Sequence, residues 1–148
     1  MLHEPAPGVR FSNLGHSSVG YDGRIWVLGG ARDSKHGFKD VWSSVDGSTW
    51  VSATSDAPWG PRSGHASVVY GDKLWIIGGQ THSDAGVEYK NDAWFSSDGT
   101  HWTRMDAKTA FSPRDDHACV VFQQAIWVLG GGQSYEAPTN EIWTYTAE

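Results

Sequence analysis

The chain has a single cysteine, Cys119, so no disulfide can form within it and nothing marks an oxidising compartment. No apolar run approaches the roughly 20 residues that a membrane-crossing helix needs. The opening "MLHEPAPGVR" lacks the basic-then-apolar form of a signal peptide, and Asn13, Asn91 and Asn140 stand outside glycosylation sequons. Basic charge is scarce: 11 Lys and Arg face 17 Asp and Glu, a net charge of −6. That balance disfavours nucleic acid and anionic membranes, which both reward basic patches. These absences predict a soluble chain, and its 148 residues make one ordinary domain in size.

What is abundant is tryptophan and glycine, nine and eighteen residues, far above ordinary usage. The stretch "KLWIIGGQ" (73–80) shows how they are used. It is too short for a buried helix, and its β-branched and aromatic content suits a strand. Alternation sends Leu74 and Ile76 to one face and Trp75 and Ile77 to the other. Both faces are apolar, so the strand requires neighbours on both sides. Gly78 and Gly79 then mark unusual dihedrals or a close approach of backbone.

The stretch occurs three times. "GHSSVGYDGRIWVLGG", "GHASVVYGDKLWIIGG" and "DHACVVFQQAIWVLGG" align without a gap and set His16, His65 and His117 in register. Trp26, Trp75 and Trp127 follow the same spacing, as do Trp42, Trp94 and Trp143 further on, while Trp50 and Trp102 share a fourth-strand position. Each unit reads as four short strands, near 65–70, 73–77, 92–96 and 101–105 in the middle copy, with "GD" and "SSDGT" as hairpin turns. Four antiparallel strands recurring every 50 or so residues are the mark of a propeller blade.

In the Arg-x-x-His entries (Arg62 to His65, Arg114 to His117), the glycine pairs and the paired tryptophans, the sequence resembles the Kelch-repeat family over nearly its whole length. It departs where the usual third-strand tyrosine gives way to Trp42, Trp94 and Trp143. The resemblance implies an all-β, Kelch-type β-propeller, one domain over 1–148. Blades fall at 16–55, 65–107 and 117–148, and residues 1–15 carry an outer strand and linker of a preceding blade. Three blades do not close a ring, and open blade faces would expose large apolar patches. The expectation is therefore a homodimer closing a six-bladed ring, with the segment 1–5 lying beside the partner's strand near residues 142–146.

Strand direction gathers "ARDSKHGFKD", "QTHSDAGVEYKN" and "GGQSYEAPTN" on one face, with the linkers "SDAPWGPRSG" and "AKTAFSPRDD". These stretches are long and differ among repeats, and Phe38, Tyr89, Tyr135, Trp59 and Phe111 read as exposed aromatics there, unless Trp59 and Phe111 plug the gap between blades instead. Binding residues favour such loops on a rigid scaffold. Candidate ligand-binding residues are thus Arg62, Arg114, Trp59, Phe111, Tyr89 and Tyr135. The two arginines precede innermost strands, where they either line the channel mouth and hold an anion or bond to neighbouring carbonyls.

Catalytic patterns are broken or absent. The register histidines come from different blades and share no metal-ligand spacing. The iron triad of some Kelch-type lyases would need histidine where Ser96 follows Glu88 and Asp92, and the copper oxidases of this fold need a cross-linked cysteine for which Cys119 has no support. Asp115 and Asp116 are adjacent, so on a strand they would diverge. No cofactor or metal is expected. The reading is a non-catalytic scaffold for a protein, peptide or glycan. The alternative is a sugar-acid enzyme like the sialic-acid mutarotases, using Arg62, Arg114, Asp115 and His117 at the channel mouth.

Overall fold

The computed structural model describes residues 14–106, 111–133 and 138–146. All regular structure among them is β, in three antiparallel sheets. The first has the order β1 (Ser17–Tyr21), β2 (Arg24–Asp33), β3 (His36–Ser44), β4 (Val51–Thr54). In the second, β6 (Ala66–Val69) and the two-residue β5 (Arg62–Ser63) both pair with β7 (Leu74–Ser83), followed by β8 (Gly86–Ser96) and β9 (Thr103–Arg104). The third holds β10 (Ala118–Phe122), β11 (Ala125–Leu129) and β12 (Ile142–Tyr145). The innermost strands β1, β6 and β10 lie side by side. No helix among the described residues is long and apolar enough to cross a membrane.

The sheets pack face to face through two seams, and β7 lies between them as its alternation requires. Leu74 and Ile76 enter the first seam with Trp26, Leu28 and Val41. Trp75 and Ile77 enter the second with Ile126 and Val128. Each second-strand tryptophan also donates its indole N–H to the carbonyl five residues earlier: Trp26 to Tyr21 at 3.0 Å, Trp75 to Tyr70 at 2.9 Å, Trp127 to Phe122 at 3.0 Å. The third-strand tryptophans reach the acid two residues before them, Trp42 to Asp40 and Trp94 to Asp92, both at 2.8 Å. That bond accounts for an indole at this position, since its ring fills the sheet face while its N–H meets a fixed acceptor.

The "DG" hairpins are closed by side chains. Asp98 Oδ1 accepts the backbone N–H groups of Thr100 and His101, and Ser96 Oγ accepts that of Gly99, all at 2.8 Å. Gly99 sits at φ +73°, and a Cβ there would stand 2.1 Å from the Trp26 ring. The second glycine of each strand pair is needed as well: at Gly79, φ +91°, a Cβ would lie 2.7 Å from the Ser63 carbonyl oxygen.

Two expectations are corrected by the strand lengths. The segments after the glycine pairs in the first two sheets are ladders, not irregular loops. Pairing breaks between Ile77 and Gly79 and then resumes from Gly79↔Lys90 to Ser83↔Gly86. The glycine pair acts as a bulge, which bends the strand and lets the hairpin continue beyond the sheet. The fourth strand of the middle unit is only Thr103–Arg104. The segment 1–5 expected beside residues 142–146 lies outside the described residues.

Candidate binding face

The extended hairpins β2–β3 and β7–β8 lie at the sheet ends opposite the short "DG" turns, and Ala57 and Arg114 of the linkers donate backbone N–H groups to the Lys39 and Lys90 carbonyls at their base. Linker aromatics do not stay on the surface. Trp59 and Phe111 are 3% and 7% exposed and belong to the first and second seams. A turn closed by Gly60 N–H to the Ala57 carbonyl at 3.2 Å, and anchored by Ala57 N–H to the Lys39 carbonyl at 3.0 Å, tucks Trp59 inward. There it meets Trp102 edge-on, with ring centroids 6.0 Å apart. Of the two roles open to them, exposed contact or plug, both fill the second: each plugs a gap between sheets. Phe38 is half-buried.

Arg62 and Arg114 are 1% and 0% exposed. Arg62 Nη1 donates to Asp92 Oδ1 at 2.8 Å and the Gly78 carbonyl at 2.9 Å. Its Nη2 reaches Asp92 Oδ2 at 3.1 Å and the Trp59 carbonyl at 2.7 Å, and Nε donates to the same carbonyl at 3.2 Å. All five guanidinium N–H groups are engaged inside the sheet. Arg114 repeats the pattern with Glu141, Ser112, Gly130 and Thr139. Each guanidinium lies 5.9 Å from the ring of its own linker aromatic, Trp59 or Phe111. The repeated arginine ties linker, glycine turn and third-strand acid together, and offers no N–H to a ligand in this arrangement.

The register histidines are locked in the same way. His65 Nε2–H donates to the Leu28 carbonyl and His117 Nε2–H to the Ile77 carbonyl, both at 3.1 Å. Burial, with Arg62 adding to it, pushes His65 down to about 3, and burial with Arg114 pushes His117 down to about 4, so both stay neutral. Of the residues that the enzyme alternative would use, Arg62 borders one cavity with its N–H groups already engaged, and Asp115 lines another.

That cavity, about 410 Å³, is lined by Gln80, Tyr89, Asp115, Asp116, Gly131, Gly132, Pro138 and Thr139. It joins the second hairpin to the entry of the third sheet. The adjacent carboxylates were expected to diverge, but Asp115 makes only an isolated bridge to Gly132 and Asp116 turns at φ +51°, so both line the same space. Burial, reinforced by the Asp116 charge, raises the Asp115 carboxyl to about 6. Burial and then the two aspartates raise the Tyr89 hydroxyl above its ordinary range. Tyr89 is thus the candidate aromatic that lines this cavity, while Tyr135 lies outside the described residues. The sequence does not single out Gln80, and it marks Asp116 only as a neighbour diverging from Asp115. The signal for both was their place beside the glycine pair and the register histidine.

A raised carboxyl gives a pH signature. Asp115 stabilises the fold fully below about 4, its unfolded range, and that contribution is lost as pH rises through about 6. Asp115→Asn should therefore raise the melting temperature at pH 7.5 and give no gain at pH 4. Thermal denaturation at both values checks this. An equal gain at each pH would mean that the effect is not ionisation.

The fold and site define the class, a set of four-stranded-type blades with a loop-bearing face. The family model described as the KLHDC2/KLHL20/DRC7 Kelch-repeats domain matches residues 5–148. The chain belongs to the Kelch-repeat family. No curated protein matches the sequence.

Proposed function

We propose that the chain is a non-catalytic binding scaffold, that two copies close one six-bladed ring, and that a protein, peptide or glycan binds the hairpin face. Membership of the Kelch-repeat family supports the scaffold reading. The observation that carries the placement of the site is the cavity joining Tyr89 to Asp115 and Asp116 at the mouth of the hairpins. It combines an aromatic contact, two carboxylates and an amide over a floor held rigid by the Arg62 and Arg114 clamps. The enzyme alternative loses its anion-binding arginines and its histidine to structural bonds, and no observation here favours it.

Selection of a displayed random-peptide library on the purified chain tests this. Tyr89→Ala should weaken the selected binders about ten-fold or more, as expected for a central aromatic contact. Tyr135→Ala should act in the same direction. Melting temperatures should change little, because Tyr89 belongs to neither seam cluster. Binders unaffected by both changes would place the site elsewhere.

A further inference from the structure

Both internal seams use one set of interactions, repeated at fixed register. The trailing face of one blade supplies Trp26 and Leu28, or Trp75 and Ile77. The leading face of the next supplies Leu74 and Ile76, or Ile126 and Val128. Around the channel, Gly64 N–H donates to the Gly15 carbonyl and Asp116 N–H to the Gly64 carbonyl, both at 2.9 Å. The register histidine bonds the second-strand carbonyl of the blade before it. At the outer end, Tyr21 donates to the Asp72 carbonyl at 2.7 Å and Tyr70 to the Gln124 carbonyl at 2.9 Å.

One trailing face and one leading face have no counterpart within the described chain. On the third blade, Val120 and Ile142 are 46% and 62% exposed where their equivalents Val68 and Ala93 in the second blade are buried, and Phe122 is 58% exposed where Tyr70 is half-buried. On the first blade, Ile25 is 45% exposed where Leu74 is fully covered. The two are halves of the interface already formed twice. Gly130 adds a specific vacancy: a Cβ on Gly29 or Gly78 would meet the next blade's histidine Cε1, at 3.1 and 2.7 Å, whereas at Gly130 only the Thr139 carbonyl oxygen comes near, at 3.6 Å.

Resting on the two-copy reading above, we propose that the seam between copies is a third instance of the internal seam, in the same register. His16 then donates to Leu129 of the partner subunit, filling the space at Gly130, and Gly15 N–H donates to the carbonyl of Asp116 of the partner subunit. Continuity with the existing interface supports a second copy as the occupant, because its leading face repeats that donor set. The seam differs from the internal ones in one bond. Phe122 stands where Tyr21 and Tyr70 carry the hydroxyl, so the outer link is missing.

The register gives a cross-linking test. Ser17 Oγ contacts Ser67 Oγ across the first seam. The equivalent pair between copies is Ala118 with Ser18 of the partner subunit. In a Cys119→Ala background, Ala118→Cys chains mixed with Ser18→Cys chains should form a disulfide-linked dimer under mild oxidation, and neither variant alone should. The chain carrying both substitutions should link into closed pairs and go no further. Pairs that form by mass but do not link would overturn this seam while leaving the two-copy reading intact. Chains that remain single would overturn both, and linkage that ends at three copies would overturn the two-copy ring while supporting the register. Independently, Phe122→Tyr should restore the outer bond to Gly23 of the partner subunit. It should tighten association by about five-fold per seam, the usual net effect of one hydrogen bond. No tightening would contradict the proposed register.

Discussion

Trp75→Ala should cost about 3–5 kcal/mol, the range for deleting a buried large aromatic from a packed core. The indole is almost wholly covered in the second seam. Its ring lies 5.0 Å from Phe95, 5.7 Å from Tyr145 and 6.2 Å from Tyr70 between centroids. Those rings come from two different sheets, so no single side chain can relax into the space. The hydrogen bond to the Tyr70 carbonyl is lost as well. Denaturant titration measures the cost, and a loss below about 1 kcal/mol, an ordinary surface value, would mean that β7 is not held between two blades. Trp127 is the same residue of the repeat on the open trailing face. Trp127→Ala should cost the single chain less and act mainly by weakening association.

Arg62→Ala is expected to be as damaging, about 3–5 kcal/mol, because removing one partner leaves the other charge buried without its counter-ion. Asp92 is the charge left behind, together with the carbonyls of Trp59 and Gly78. Burial pushes the Asp92 carboxyl up, and the hydrogen bonds and charge of Arg62 more than offset it, leaving the group below its usual range. A lowered carboxyl stabilises the fold above about pH 4 and loses that contribution as pH falls further. The cost of Arg62→Ala should therefore shrink in acid, where Asp92 is protonated in the variant. Arg62→Lys should recover only part of the loss, since an ammonium cannot span both carboxylate oxygens and two carbonyls in one plane. Denaturation of both variants at pH 7 and pH 3.5 checks this, and a pH-independent cost would assign the effect to packing alone.

The blades were legible because their signal is local. Leu74, Trp75, Ile76 and Ile77 announce by alternation alone that two neighbours flank the strand, and the seams contain those side chains in that division. The hairpin extensions were not legible, because "QTHSDAGVEYKN" is polar on both sides and pairs through its backbone once the bulge at Gly78 and Gly79 re-aims it. Trp59 and Phe111 were ambiguous for a related reason. Their neighbours Pro, Gly, Ser and Arg read as loop, and only the turn at Ala57–Gly60 and the guanidinium beneath each ring draw them inward. The arginines were recognised as repeat features, but which of their two roles they filled depended on Asp92 and Glu141, some 30 residues further on. Tyr89 was readable as an aromatic at a hairpin, whereas its cavity needed Asp115 and Asp116 brought to it from the next blade.

A second copy is expected to close the ring. Sedimentation equilibrium of the purified chain at micromolar concentration tests it most directly. The expected result is one species at twice the 16.2 kDa chain mass. A monodisperse species at 16.2 kDa would contradict it.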